Sequence, residues 1–275
     1  MGRIEAAFAH LKHSGKKALI PFITAGDPDL ATTEKLLHTL VASGADIIEL
    51  GFPFSDPMAD GPTIQAASER ALASGTTLAG ILDMIARVRL HTNVPIVLMG
   101  YYNPVFHYGP ELFARDAAAA GVDGLLLVYL PPEEAGELQD HLRAVGVALI
   151  TLLAPTTPPE RMASLAASGE GFLYYVSMTG VTGVQQVDPA AIEEAVSALK
   201  RKSPVPVAVG FGISTPADAA SVARFADAVV VGSALVKVVA AYGDSPHHPT
   251  KVGEFVRSLK EGMETSAGAA TSPSS

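Results

Sequence analysis

The sequence contains no cysteine, so disulfide bonds and thiol catalysis are excluded. Basic residues are also few: 19 lysines and arginines stand against 28 aspartates and glutamates, which gives a net charge of −9. Nucleic-acid binding needs a basic face, and this balance argues against it. The balance does not exclude a small anionic ligand, because backbone amides and helix N-termini bind phosphate without lysine.

Long hydrophobic runs are absent as well, since no apolar stretch reaches the roughly 18 residues that a membrane-spanning helix requires. The first 17 residues have the spacing of an amphipathic helix and lack the apolar core and cleavage site of a signal peptide. We therefore expect a cytoplasmic protein. The chain has 275 residues, 48% of them hydrophobic and 17% charged, which is enough for a sizeable core in one large domain or two small ones.

Eight short apolar runs rich in β-branched residues recur along the chain, and segments with helical periodicity separate them. The runs begin at residues 18, 46, 95, 124, 147, 171, 205 and 228. They are continuously apolar, which is typical of parallel strands buried on both faces. A similar phrase ending in an aspartate introduces three of them, at Asp46, Asp123 and Asp227, and indicates weak repetition of a βα unit.

Eight such units predict a (β/α)8 barrel, or TIM barrel, which begins with an N-terminal helix and forms a single domain over residues 1–264. A doubly wound parallel sheet is the alternative, but no GxGxxG string follows the first run. After the eighth run, an extra short helix extends to about residue 241, and a further helix covers 250–263. The small, polar tail at 265–275 is expected to be disordered.

Two connections are longer than the others, and both follow a strand. The first contains LGFPFSDPMADGPT at 50–63 and then the helix-like TIQAASERALASG, and the second contains MTGVTGVQQV at 178–187. Loops that follow strands open onto the C-terminal face of a barrel, where active sites are built. Long loops in an economical fold are usually lids or binding segments, so these two predict one site.

Glycines follow the seventh and eighth runs, at Gly210, Gly212 and Gly232. Glycines at these places and a short extra helix after strand 8, here starting near Ser233, form the phosphate site of many barrels. The backbone approaches the anion closely, and the first N–H groups of the helix point at it. Gly183 in the sixth connection could close over the same group. Glycines that only make tight turns are the alternative, and we favour the phosphate site.

Glu49 lies inside an apolar run and shares a strand face with Ile47. Burial of a carboxyl raises its pKa, and a proton-transfer group that works near neutral pH needs such a shift. The structural alternative is a salt bridge to a basic residue of another strand, but no other run contains one. We therefore interpret Glu49 as a functional residue.

Asp56 and Asp60 in the first long loop are harder to separate. Asp60 precedes Gly-Pro and a helix-like segment, so it could be a helix N-cap, and Asp56 precedes a proline and could make an Asx-type turn. Spacing alone leaves the two level as candidates for chemistry. The loop's prolines limit its backbone, so it can hold a carboxylate in place.

No spacing of histidines typical of a metal site occurs, and HExxH is absent, so we expect no metal. Asp27, in a Gly-Asp-Pro string after the first run, is interpreted as a turn residue only. A sugar-phosphate isomerase on the same barrel would need different acids after the first and fifth runs. We therefore do not favour that activity.

The strings that carry these features resemble, in order along the chain, those of the tryptophan synthase α subunit family. The most specific is ELGFPFSDPMADGPTIQ, which begins at Glu49, and PFITAGDP, MGYYNP, GVTG, GFGIS and VGSALV match as well. The match extends from the N-terminal helix to about residue 263. It implies a (β/α)8 barrel that cleaves indole-3-glycerol phosphate to indole and glyceraldehyde 3-phosphate in tryptophan biosynthesis.

By this resemblance, Glu49 is the general acid/base that protonates the indole ring carbon and assists deprotonation of the glycerol hydroxyl. Asp60 is implied to bind the indole N–H and to stabilise the cation formed by ring protonation. The implied pocket wall consists of Phe22, Tyr101, Leu126 and Tyr174, and the implied substrate contacts also include Thr182 and Phe211. The phosphate is implied to bind backbone amides around Gly183, Gly212, Gly232 and Ser233.

The resemblance also implies a partner. Pro53, Asp56 and Pro57 would face a β subunit, which carries pyridoxal phosphate and receives indole through a tunnel in an α2β2 complex. This chain itself is expected to need no cofactor. A stand-alone lyase, active without the β subunit, and a non-catalytic subunit that activates its partner are the alternatives. The intact acid pair argues against the second.

Two places depart from the family pattern. Tyr129 stands after the fourth run, where the family usually has an aspartate, and Gln185 and Gln186 stand where a basic residue is often found. We expect these departures to alter contacts with the β subunit and closure of the sixth loop, more than the chemistry of Glu49 and Asp60.

Overall fold

Eight parallel strands form a closed barrel in chain order. The computed structural model describes residues 1–128, 130, 134–176, 189–210, 212–243 and 245–269. The strands are β1 (Ala18–Thr24), β2 (Ile48–Gly51), β3 (Ile96–Tyr101), β4 (Gly124–Val128), β5 (Ala148–Leu153), β6 (Leu173–Val176), β7 (Val207–Gly210) and β8 (Ala228–Val231). The eight apolar runs therefore are the eight strands, and the prediction of a (β/α)8 barrel is confirmed. A doubly wound sheet would have had two open edges.

Twelve helices accompany the strands in the described ranges. They are α1 (Arg3–His13), α2 (Leu30–Ala42), α3 (Pro62–Ala73), α4 (Leu78–Val88), α5 (Tyr102–Tyr108), α6 (Pro110–Ala120), α7 (Gly136–Ala144), α8 (Pro159–Ala167), α9 (Pro189–Lys202), α10 (Pro216–Ala223), α11 (Ser233–Tyr242) and α12 (His248–Ala269). The long connection after β2 holds two helices as well as a loop, because the apolar positions of α4 bury a full helix face. The predicted N-terminal helix is α1, and the predicted extra short helix after strand 8 is α11.

The strands alternate their side chains between two apolar layers. On β2, Ile48 and Leu50 belong to the outer layer that packs against the helices, whereas Ile47, just before the strand, belongs to the layer inside the barrel. The N-terminal helix closes the lower end of the inner layer, with Ile4 and Phe8 buried there. Because both faces are covered, apolar residues are needed at nearly every strand position, as the continuous runs indicated.

The repeated aspartates lie at the N-terminal end of the barrel, where each ties two strands together. Asp46 accepts a hydrogen bond from the backbone N–H of Leu19 in β1 at 2.7 Å. Asp123 likewise accepts from Ile96 in β3 at 2.8 Å, and Asp227 accepts from Val207 in β7 at 3.1 Å. In each case an acid that precedes an even-numbered strand binds the start of the odd-numbered strand before it.

Glu170 completes this pattern, although its sequence does not share the phrase. Its carboxylate accepts from the N–H of Leu149 in β5 at 3.1 Å. A basic side chain binds each of the four acids, in the pairs Lys260–Asp46, Arg89–Asp123, Arg143–Glu170 and Lys200–Asp227. We call these four acids the lower acids. The weak repeat in the sequence is thus a fourfold repeat of strand pairs.

The C-terminal helix is longer than predicted. It runs to Ala269, six residues past the expected end at 263, so the start of the predicted disordered tail at 265–269 is helical. Two contacts explain the extension: Lys16, between α1 and β1, binds Glu264 at 2.8 Å, and the Thr265 hydroxyl donates to the Glu261 carbonyl. Residues 270–275 lie outside the described residues.

No single helix in the described ranges is both long and apolar enough to cross a membrane. The helices α3 and α4 reach the required length and composition only as a pair, and they are bent by 92° relative to each other. Each helix buries an apolar face in this fold, with Ala67 and Ala71 buried in α3 and Ile81 and Ile85 buried in α4. Their hydrophobicity is explained by packing on the barrel.

Candidate functional site

A pocket opens at the C-terminal end of the barrel between β1–β4, the loop after β2 and helix α3. The described residues that line it are Phe22, Thr24, Gly51, Phe52, Phe54, Asp60, Ile64, Ser68, Met99, Gly100, Tyr101 and Val128. One wall is therefore aromatic, and the single carboxyl in this lining belongs to Asp60. An apolar pocket with few polar groups is the usual form of a small-molecule site.

Glycines in the strands make room for the aromatic rings. A Cβ atom on Gly51 would lie 2.6 Å from the Phe22 ring, and one on Gly100 would lie 2.3 Å from the Phe52 ring. Both distances are far below van der Waals contact, so any larger residue would displace the rings. The glycines at the ends of β2 and β3 thus shape the pocket.

Glu49 points into the barrel below this pocket, on the face that it shares with Ile47. Its exposed fraction is 1%, and its Oε1 atom has no hydrogen-bond partner among the described residues. Burial raises the pKa of the Glu49 carboxyl from 4.5 to about 8. At neutral pH this group therefore holds a proton, as the sequence analysis expected of a buried acid in an apolar strand.

The surroundings of Glu49 contain no cation from the sheet, because none of the eight described strands includes a basic residue. The salt-bridge alternative is therefore wrong. Tyr174 on β6 lies near the Glu49 carboxyl. Burial raises the pKa of the Tyr174 hydroxyl well above 10.0, and the negative charge of Glu49 adds to this shift. Phe22 and Val97 are the neighbours of Glu49 on the adjoining strands.

Asp60 lines the pocket at the end of the proline-rich loop. Burial raises the pKa of its carboxyl from 3.8 to about 6, and a hydrogen bond with Tyr101 opposes that shift. The N-cap of α3 is Gly61, whose position is followed by Pro62 at the first helical turn. The N-cap interpretation of Asp60 is therefore wrong, because its side chain faces the pocket while the neighbouring glycine begins the helix.

Several contacts hold the loop that carries Asp60. The Tyr101 hydroxyl accepts from the Ala59 N–H at 2.8 Å, and its ring packs on Phe54 with centroids 5.3 Å apart. The Gln65 side chain donates to the Asp60 carbonyl at 2.8 Å. The loop is thus fixed to β3 on one side and to α3 on the other. Tyr101, predicted as pocket wall, also positions the acid loop.

Asp56 occupies a different position in the same loop. It is exposed, the Ser55 hydroxyl donates to its carboxylate at 2.8 Å, and its carbonyl accepts from the Met58 N–H at 2.9 Å. Pro53 and Pro57 are half-buried beside it. The two aspartates that spacing could not separate therefore differ in surroundings: Asp60 lines the pocket, and Asp56 lies on the outer surface.

An ion pair fixes α3 across the mouth of the barrel. Both nitrogens of the Arg70 fork donate to the Asp27 carboxylate, each at 2.7 Å. Asp27 is only 2% exposed, so the interpretation of this residue as a turn residue only is wrong. On the same helix, Ala67 packs with Phe22 and Val236. The docking of α3 places both Asp60, at its N-terminal end, and two pocket-lining residues.

The predicted phosphate end adjoins this pocket through Phe22. Gly232 precedes α11, which begins at Ser233, and a Cβ atom on Gly232 would lie 3.8 Å from the Phe22 ring. Gly212 has a φ of +46° with open space around it, a conformation that favours glycine. Gly232 and Ser233 therefore lie beside the pocket, at the start of α11. Thr182, Gly183 and Phe211, together with Tyr129, Gln185 and Gln186, lie outside the described residues.

Two predicted wall residues lie deeper than expected. Leu126 and Tyr174 point inward and are buried in the layer inside the barrel, rather than among the residues that line the pocket mouth. Leu126 is the register partner of Met99 and precedes Val128 by two positions on β4. Tyr174 lies near Glu49, because the carboxylate raises the pKa of its hydroxyl.

Sequence reasoning missed several residues that line the pocket. Thr24 follows Phe22 by two positions and Met99 precedes Tyr101 by two, so the period of a strand could have found both. Ile64 and Ser68 are four residues apart on α3, the spacing of one helix face. Phe52 and Phe54 belong to the long loop at 50–63, in which the sequence drew attention to the acids and prolines instead. Within the described part of the chain, no three metal-binding side chains come together.

Comparison with known proteins identifies relatives over nearly the whole chain. A family model described as "Tryptophan synthase alpha chain" matches residues 8–264. The tryptophan synthase alpha chain of Citrifermentans bemidjiense is 57% identical over 263 residues, which are 96% of this chain and 98% of that protein. The match far exceeds what a shared barrel fold alone would give.

Solved structures agree with these relatives. The crystal structure of tryptophan synthase subunit alpha from Legionella pneumophila superposes with a TM-score of 0.90 at 42% identity, covering 96% of this chain and 99% of that one. A chain of the tryptophan synthase complex from Pyrococcus furiosus superposes with a TM-score of 0.79 at 39% identity, covering 88% and 97%.

Proposed function

The chain belongs to the tryptophan synthase alpha chain family, and we propose that it cleaves indole-3-glycerol phosphate to indole and glyceraldehyde 3-phosphate. The observation that carries this proposal is the pair of carboxyls toward the C-terminal end of the barrel, Asp60 in the pocket lining and Glu49 below it. Burial raises the pKa of Glu49 to about 8 and that of Asp60 to about 6. At neutral pH, Glu49 is therefore mostly protonated and Asp60 mostly ionised. A site whose two acids differ in this way supplies a proton donor and a fixed negative charge together.

The first step is proton transfer to the ring. Glu49 donates its proton to the indole carbon that bears the side chain, and the ring nitrogen becomes part of a cation. The Asp60 carboxylate binds the N–H of that ring and stabilises the positive charge in a partly buried setting, where charge interactions are stronger than in water. The aromatic wall of Phe22, Phe52 and Tyr101 encloses the apolar ring.

The second step breaks the carbon–carbon bond. Glu49, now a carboxylate, takes the proton of the hydroxyl on the adjoining carbon, and that carbon becomes the aldehyde of glyceraldehyde 3-phosphate. The electron pair of the broken bond returns to the ring and neutralises the cation, which gives indole. Glu49 ends the cycle protonated, so no external acid or base is consumed.

The phosphate of the substrate would bind at the adjoining glycine loops. We assign it to backbone amides around Gly212, Gly232 and Ser233, with Thr182, Gly183 and Phe211 as further substrate contacts implied by the family. The open left-handed Gly212 and the start of α11 at Ser233 support this assignment. An acidic protein can bind this anion because the donors are backbone groups.

We also propose a β subunit as partner, in an α2β2 complex, with Pro53, Asp56 and Pro57 facing it. The exposed position of Asp56 supports that role. The chemistry above uses only side chains of this chain, so we assign no cofactor to it and place pyridoxal phosphate on the β subunit. A relative of known structure is described as a tryptophan synthase complex.

The test is indole release from indole-3-glycerol phosphate by the wild type and by Glu49→Gln, each with and without a β subunit. We expect release by the wild type and a loss of at least about 1000-fold in the variant, since an acid/base group contributes up to about 10⁴-fold. A wild type that releases no indole under either condition would contradict the proposed activity. Equal rates in both proteins would remove Glu49 as the acid/base.

The same assay separates the alternatives. A stand-alone lyase would release indole at the same rate whether or not a β subunit is present. A non-catalytic activator would release none, yet would change the rate of the β subunit.

A further inference from the structure

We propose that the Thr24 hydroxyl hydrogen bonds to the substrate hydroxyl that does not react, and so selects a hydroxylated three-carbon chain. This inference rests on the proposed function and adds a substrate contact to it. Thr24 is the last residue of β1 and lines the pocket next to Asp60. Phe22 of the same strand lines the pocket as well, so both side chains point to the barrel interior.

The Thr24 hydroxyl is a buried polar group of the pocket wall. The side chain is only 4% exposed, and Oγ1 has no hydrogen-bond partner among the described residues. Buried hydroxyls in folded proteins are nearly always hydrogen bonded, and an unmade bond is unfavourable. A group that the fold leaves unsatisfied at a pocket wall is suited to a ligand atom.

The other buried threonines of the described chain show that this fold satisfies such groups elsewhere. The Thr33 hydroxyl donates to the Asp29 carbonyl at 2.9 Å and accepts from the Gly26 N–H at 2.9 Å. The Thr76 hydroxyl lies 3.1 Å from that of Ser74. Thr24 differs from both in lining the pocket.

The position of β1 selects the part of the substrate that Thr24 meets. β1 lies between β2, which carries Glu49, and β8, which leads to Gly232. A substrate whose reacting carbon is at Glu49 and whose phosphate is at Gly232 must place the intervening carbon along β1. That carbon carries the second hydroxyl.

The chemistry of the substrate gives the same assignment. Indole-3-glycerol phosphate has four polar groups, and the proposed mechanism uses three: the ring N–H at Asp60, the reacting hydroxyl at Glu49, and the phosphate at the glycine loops. The remaining hydroxyl needs a partner of its own. Thr24 supplies one, with a group that both donates and accepts.

Two substitutions at one site test this. Thr24→Val keeps the shape of the side chain and removes the hydroxyl, and Thr24→Ser keeps the hydroxyl. For Thr24→Val we expect kcat/KM for indole-3-glycerol phosphate to fall about tenfold, mainly through KM, as for the loss of one neutral hydrogen bond to a ligand. For Thr24→Ser we expect a change below about threefold on the same reasoning.

The probe that isolates the hydroxyl is indole-3-propyl phosphate, which lacks both chain hydroxyls. Its inhibition constant should change less than about twofold in Thr24→Val, because no hydrogen bond is lost. Thr33→Val is the matched control: removal of a satisfied buried hydroxyl should lower the melting temperature and leave the ratio of the two affinities unchanged. Thr24→Val itself should melt no lower than the wild type.

The outcomes are distinct. Equal weakening of substrate and propyl phosphate in Thr24→Val would show that Thr24 only shapes the wall, and no weakening of either would show that it does not touch the ligand; each result overturns the proposal. So would a Thr24→Ser variant as impaired as Thr24→Val. Absence of indole release in the wild type would overturn the proposed function and this contact together, whereas an active wild type leaves the proposed function standing in every other case.

Discussion

The lower acids, at the N-terminal end of the barrel, are each bound to a backbone N–H and a basic side chain, whereas Glu49, nearer the C-terminal end, has no basic residue to pair with on any described strand. Asp123 accepts the N–H of Ile96 and binds Arg89, and the other lower acids repeat that arrangement. Glu49 is more deeply buried than any of the four lower acids, yet its Oε1 atom has no hydrogen-bond partner among the described residues. One end uses carboxylates to join strands, and the other keeps a carboxyl protonated for use.

The comparison shows why burial alone does not indicate a role. Asp123 has a side chain 7% exposed, close to the burial of Glu49, and it serves the fold because a cation and a backbone donor compensate its charge. Without compensation, the same burial instead raises a pKa, as it does for Glu49. The informative feature is therefore the set of partners. Asp123 has a backbone donor and a cation, whereas the Oε1 atom of Glu49 has no partner among the described residues.

After Glu49→Gln, the largest effect on turnover is expected at Asp60. Asp60→Asn removes the negative charge that faces the developing ring cation, and we expect turnover to fall about 100- to 1000-fold. The melting temperature should stay within a few degrees of the wild type, because Gly61 rather than Asp60 caps α3. Steady-state indole release together with a thermal melt checks both parts. A melting temperature that falls by much more than a few degrees, together with the loss of activity, would show that Asp60 stabilises the fold instead.

The next effect is a dependence of stability on pH that Glu49→Gln removes. The folded carboxyl holds its proton up to about pH 8, and the unfolded one releases it near its usual pKa of about 4.5. Between these values the folded state binds more protons, so the free energy of unfolding falls as pH rises. We expect the wild type to lose about 3 kcal/mol relative to Glu49→Gln between pH 5 and 8.

Urea unfolding of both proteins at several pH values measures this difference. Parallel pH profiles for the wild type and Glu49→Gln would contradict it. Asp60→Asn provides a comparison, because the smaller rise of the Asp60 pKa, to about 6, predicts a smaller difference that is complete by about that pH.

Substitution of a lower acid should reduce the stability of the protein and leave its activity unchanged. Asp123→Asn leaves Arg89, itself only 8% exposed, without its counter-charge. The expected loss is about 2 kcal/mol, below the range for a broken buried pair, because the amide can still accept from Ile96 and Arg89 keeps three backbone carbonyls as acceptors. Chemical denaturation measures the loss. Indole release per folded molecule should be unchanged. A fall in turnover without a fall in stability would contradict the structural role of Asp123.

The smallest effect is expected at Asp56. This side chain is exposed and hydrogen bonds locally to Ser55, so Asp56→Ala should change the free energy of unfolding by less than about 0.5 kcal/mol. Indole release by the isolated chain should be unaffected, while stimulation by an added β subunit should weaken. A loss of activity in the isolated chain would show that Asp56 stabilises the loop that carries Asp60, instead of facing the partner.

Much of the fold follows from one property of the sequence. Continuous apolar runs predict buried parallel strands, and all eight runs are strands. Glu49 was recognisable because an acid in such a run has no basic strand neighbour to pair with. Its orientation and raised pKa follow from that local pattern, since strand alternation and burial need no knowledge of distant contacts.

Other features depend on contacts between distant residues. Asp27 and Arg70 are 43 positions apart, so their ion pair, which docks α3 over the pocket, has no local signal. The aspartate phrase was visible, but its meaning depended on strand register, and Glu170 joins the same pattern with a different phrase. Asp56 and Asp60 share one loop and one residue type, and only the folded loop places one inside and one outside.

The most direct test of the difference between the two ends is the pKa of Glu49 in the free protein. Carbon-13 NMR of the glutamate side-chain carboxyls, with Glu49→Gln to assign the resonance, measures it without substrate. We predict a titration midpoint near 8, because the carboxyl is buried and its Oε1 atom has no hydrogen-bond partner among the described residues. A midpoint near the usual value of about 4.5 would show that Glu49 is ionised at neutral pH, and would contradict the claim that this end of the barrel stores a proton.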